Sequence, residues 1–176
     1  MAEDCRGGFM SIDLQSIAAA SEILSAIENH LESDDVDHSL GDELCNALRI
    51  IYFVPDSVLS FLRDVSEGLP VSDDRIRAVL SSFNDRQWNV EEALDKIDFA
   101  RLGKDLRLNL RTASRLQAIR VGKISLRRDI QNEINYYGQR GIKPDRKRVA
   151  ELTAAIEKLN NLIEEVEMLI NKRPNR

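Results

Sequence analysis

Histidine and cysteine are nearly missing from this chain: His30, His38, Cys5 and Cys45 are the whole supply. Cys5 and Cys45 form no CxxC pair, so neither a disulfide framework nor a zinc ribbon is encoded. The histidines fit no HExxH pattern, and "DDVDH" at 34–38 lacks the ordered oxygen ligands of an EF-hand. "GQRGIK" is neither GxGxxG nor GxxxxGK[ST], so no phosphate cradle is present. Cys45 falls in an apolar run, where desolvation keeps a thiol protonated, and the single tryptophan, Trp88, reads as a packing plug. An enzyme is not expected, and no metal, cofactor or small-molecule substrate is indicated.

Long apolar runs are also lacking. No window approaches 18 uninterrupted apolar residues, so no membrane span is expected. The opening "MAEDCRGGFMSIDL" has acids and glycines where a signal peptide has a basic start and an apolar stretch. A cytoplasmic protein is the expectation, with the nucleus left open. Proline and glycine are sparse too, 4 and 8 in 176 residues, among many Leu, Ile, Ala, Glu and Arg. That mixture favours helix, and the fold class expected is all-α.

The apolar residues recur at helical spacing. Leu14, Ile17, Ala20, Leu24, Ile27 and Leu31 mark a first helix after Ser11. "ELCNALRIIYFV", 43–54, reads as a second that stops before Pro55. Three shorter ones follow: 57–67, opened by Asp56 or Ser57 and closed by Gly68; 73–83, capped by Ser72; and 90–101, capped by Asn89. "DDRIRAVLSSFNDRQWNVEEALDKI" resembles the last two helices of ubiquitin-associated and CUE modules over about 25 of the 176 residues. Its linker is about three residues longer, and Ile97, Asp98 and Phe99 replace the terminal apolar pair. Two capped amphipathic helices account for the stretch, and we assign no family from it.

Residues 104–138 read as one long helix, or two broken at Gly122, followed by a turn over 138–145. A hairpin about Gly122 and Lys123 is a minor alternative. The last helix has the most regular pattern. Val149, Leu152, Ile156, Leu159, Ile163, Val166 and Ile170 alternate steps of three and four, with β-branched residues at every a position. A short turn before it predicts an antiparallel helical hairpin in which Leu126, Ile130, Ile134 and Tyr137 cover that seam. The expected organisation is thus an acidic helical bundle over 10–101 and a basic-then-heptad hairpin over 104–172, with flexible tails at 1–9 and 173–176.

Charge is segregated. Residues 1–100 carry 7 Lys+Arg and 21 Asp+Glu, residues 101–148 carry 14 and 4, and residues 149–176 carry 4 and 5. The basic segment includes Arg107, Arg111, Arg115, Arg120, Lys123, Arg127 and Arg128. These could meet acids within the chain, an acidic partner or nucleic acid. On a continuous helix Arg107, Arg111 and Arg115 would face away from Arg120, Lys123 and Arg127, which disfavours one phosphate-binding stripe.

The function expected is a non-catalytic protein–protein interaction module, an adaptor or regulator. It would associate with a partner or itself through the seven heptad residues and discriminate through its charge blocks. A nucleic-acid-binding regulator using 101–128 is the alternative. A further one is a small acidic inhibitor or immunity-type protein covering a basic site through 32–43.

Overall fold

A computed structural model describes residues 15–31, 45, 46, 48, 49, 52–84, 110–120, 126–138 and 143–172. Six helices lie within them: α1 Gln15–Leu31, α2 Asp56–Glu67, α3 Asp73–Asn84, α4 Leu110–Arg120, α5 Leu126–Tyr137 and α6 Arg146–Asn171. Cys45, Asn46, Leu48, Arg49 and Tyr52 are also helical, and no strand occurs among the described residues. The all-α class expected from composition is the class found.

Local chemistry sets the ends. Pro55 is extended (φ −61°, ψ 150°), and its carbonyl accepts from the amides of Val58 and Leu59 to start α2. Pro55 therefore holds the cap position expected for Asp56 or Ser57. Gly68 closes α2 at φ +80°, its amide donating to Val65 and that of Leu69 to Asp64. The positive φ is what calls for glycine there; the Arg146 guanidinium that a Cβ would meet is the end of an exposed, flexible side chain that can shift. Ser72 Oγ accepts from the Arg75 amide before α3 (3.3 Å), as the sequence anticipates. Asp145 caps α6 by accepting from Lys147 and Arg148 at 3.1 and 3.3 Å.

At 26 residues α6 spans about 39 Å, and α1 and α2 pack along it. Both supply apolar faces: Ile17, Ala20, Ile23, Leu24 and Ile27 from α1, and Val58, Leu59, Phe61, Leu62 and Val65 from α2. The principal neighbours of α6 thus differ from the hairpin expected. Its seam lies against N-terminal helices, whereas α5 meets α3 and α4 meets α1. Helices α5 and α6 are tied near their turn, where Arg148 pairs with Glu133 at 3.1 Å. Leu126, Ile130, Ile134 and Tyr137 are buried, but in a core shared with residues of α1, α2, α3 and α6.

The physical reason is the breadth of the apolar stripe on α6. Ala155 and Leu162 flank the seam and are half-buried, while Thr153 and Asn160 are buried on its other side. A stripe this wide needs more than one covering helix. One core therefore runs through the helices on both sides of the boundary expected near 101–104, a boundary that lies outside the described residues. The tails, helix 90–101 and the Gly122 region lie outside them as well.

Candidate interaction surface

The seam residues are taken up inside the chain. Val149, Leu152, Ile156, Leu159, Ile163 and Val166 are all buried, and Ile170 packs half-buried against the core. No partner reaches the first six without unpacking α1 or α2. The helical spacing read from sequence is correct, but the covering surface is intramolecular.

Two buried polar arrangements accompany this core. The Val54 amide donates to Asn160 Oδ1 (3.0 Å), and Asn160 Nδ2 donates to the Val54 carbonyl (2.8 Å). One side chain thereby satisfies both backbone groups of a residue that is neither in a helix nor in water. The Tyr137 hydroxyl donates to Glu133 Oε1 (2.7 Å), and Arg148 donates to Glu133 Oε2. Burial, then the hydrogen bond and the charge of Glu133, pushes the Tyr137 phenol far above the ordinary tyrosine range.

Tyr52 is shifted in the same direction by burial alone, and its hydroxyl has no hydrogen-bond partner among the described residues. Both phenols stay neutral in the folded state while unfolded tyrosine ionises near pH 10, so their contribution to stability is complete below that pH and declines above it. A buried hydroxyl without a partner costs free energy. Tyr52→Phe is expected to raise stability by about 1 kcal/mol, seen as a higher Tm in a thermal melt. A loss of that size would reveal a partner for the hydroxyl.

On the surface, charges cross between the two halves. Arg49 Nη1 donates to both oxygens of Glu167 on α6 (2.9 and 2.8 Å), and Arg63 on α2 pairs with Glu157 of α6 at 2.5 Å. Arg75 bonds Asp64 and also lies 5.7 Å from the centre of the Phe61 ring. In the opposite sense, Arg115 and Arg111 of α4 both face Glu22 of α1, at 2.5 and 3.9 Å from the same oxygen. Two arginines of the acidic block, Arg49 and Arg63, meet acids of α6, and two arginines of the basic segment meet an acid of α1.

Of the other basic residues singled out by sequence, Arg107 and Lys123 lie outside the described residues, as does the side chain of Arg120. Arg127 and Arg128 lie on α5, half-buried and exposed respectively, and each has an interaction partner. The structure thus brings Arg111 and Arg115 together on one carboxylate. Glu22 and Asn160 were not picked out by sequence reasoning. For Asn160 a signal existed, a neutral amide on the flank of the heptad stripe; for Glu22 no local pattern distinguishes it from the other acids.

A shallow cleft of about 330 Å³ is lined by Cys45, Asn46, Arg49, Glu167, Ile170 and Asn171. Its carboxylate is already closed on Arg49, so the lining presents amides and an ion pair rather than an acid–base couple. No group of three or more His, Cys, Asp or Glu among the described residues is placed to hold a metal ion. No described helix is long and apolar enough to cross a membrane.

What the described surface does offer is misplaced apolar area beside charge. Leu110 is 89% exposed at the first turn of α4, next to Arg111, whose side chain is 73% exposed. Met168 and Leu169 are exposed near the end of α6, and Leu69 beyond α2. Comparison of the chain with protein-family models, curated proteins and solved structures finds no match.

Proposed function

We propose that this protein is a non-catalytic helical interaction protein, an adaptor or regulator that meets a protein partner over its charged outer surface. The observation that carries this reading is the pairing of Leu110 and Arg111. A leucine left almost wholly in water, followed by a mostly exposed arginine, offers apolar area next in sequence to a residue type enriched at protein contacts. The burial of the heptad residues supports an outer face rather than the seam as the contact.

The nucleic-acid alternative draws less support, because Arg111 and Arg115 already share an acid. The inhibitor reading placed its contact at 32–43, outside the described residues.

The test is affinity purification with the full chain and with Leu110→Asp, followed by direct binding with each purified candidate. A partner retained by the natural sequence and lost with Leu110→Asp, at unchanged Tm, is the expected result. The same proteins retained by both, or none binding directly, overturns the reading.

A further inference from the structure

Arg111 and Arg115 stand four residues apart on α4, about 6 Å along its axis. Both turn to Oε1 of Glu22, so among the described residues two positive charges meet one negative charge. The sharing is unequal. Arg115 is drawn in, its side chain 19% exposed, whereas Arg111 stays 3.9 Å away and mostly in water. Arg115 Nη1 is closed off from solvent and lies 2.5 Å from the carboxylate oxygen, yet without the alignment of a hydrogen bond. The contact is therefore ionic rather than directional, and among the described residues Arg115 Nη1 has no aligned acceptor.

We infer that α4 is a docking site for a carboxylate-bearing helix of the partner protein, with Glu22 as a competitor built into the chain. This rests on the proposed interaction function and names the partner's chemistry. The occupant already on the site, a carboxylate carried by a helix, is the template for the one that replaces it. Two carboxylates at i and i+4 on an incoming helix match the 6 Å spacing of the arginines and balance the surplus charge that one glutamate leaves. Glu22 then acts as an autoinhibitory contact: the partner helix must displace it, which raises the threshold for docking and rejects ligands with a single carboxylate.

The probe is a fluorescent 18-residue helical peptide with Glu pairs at i,i+4, titrated into the 176-residue chain. Its control has every Glu replaced by Gln. Binding of the Glu peptide alone is expected, weakened by salt, and Glu22→Gln should tighten it roughly threefold to tenfold by removing the competitor. Arg111→Glu should abolish it. Glu22 is a partly exposed residue, and circular dichroism with a thermal melt confirms that each variant folds. Equal binding of both peptides, or an affinity unchanged by Glu22→Gln, overturns the inference. So does preferential binding of a labelled oligonucleotide with the steep salt dependence of phosphate neutralisation, roughly a thousandfold between 50 and 200 mM for six contacts. Should a partner remain sensitive to Leu110→Asp while indifferent to Glu22→Gln and Arg111→Glu, the interaction function stands and only this mode of docking fails.

Discussion

Replacing Asn160 with alanine is expected to destabilise the protein by about 3 kcal/mol, because two buried backbone groups lose their partners at once. Asn160 and Val54 are both buried, and the Asn160 side-chain amide bonds the Val54 N–H at 3.0 Å and its C=O at 2.8 Å. Val54, which directly precedes Pro55, lies outside the helical ladder whose last amide is that of Phe53, so its own groups rely on α6. Asn160→Asp should fare no better: one oxygen still accepts from the amide, but the other faces the Val54 carbonyl and adds a buried negative charge. Urea denaturation measures the effect, and the matching drop in Tm is roughly 6–12 °C for a chain of this size. A change under about 0.5 kcal/mol, the level of an ordinary surface substitution, would mean that the two bonds do not hold this segment.

Ile163→Ala should cost about 4 kcal/mol, since the side chain is fully buried at the seam of α6 and its removal leaves a cavity the surrounding helices cannot close. The exposed neighbour Glu165→Ala should stay within about 0.5 kcal/mol. Protein concentration separates the meanings of that burial. A seam covered by α1 and α2 of the same chain gives an unfolding free energy independent of concentration. A seam covered by a second copy would gain roughly 2.7 kcal/mol over a hundredfold rise. The expectation is no change between 1 and 100 μM; a concentration-dependent Tm would return the heptad to the role of an interface.

The helices themselves were legible because their signals are local. Gly68 at a left-handed C-cap, Ser72 at an N-cap, and the three-four spacing on α6 depend only on residues within a turn or two. Partner choice was not legible in the same way. The sequence placed Leu126, Ile130, Ile134 and Tyr137 on the seam because they are close in chain and share its period. Yet α1 and α2 carry apolar faces of the same kind, and periodicity does not tell one such face from another.

The candidate surface divides along the same line. That basic residues cluster over 101–128 is a fact of composition, as is the excess of acid before residue 100. That Arg111 and Arg115 converge on Glu22, about 90 residues away, is a fact of packing between α1 and α4. Sequence by itself determined the all-α class, the helix ends marked by caps, the apolar register of α6 and the charge of each segment, since each follows from neighbours along the chain. Only the tertiary structure decided which helices cover the seam, which acid meets which arginine, and that Leu110 is left in water. Those outcomes depend on surface complementarity between segments far apart in the chain, where many pairings satisfy the same local pattern and only packing selects one.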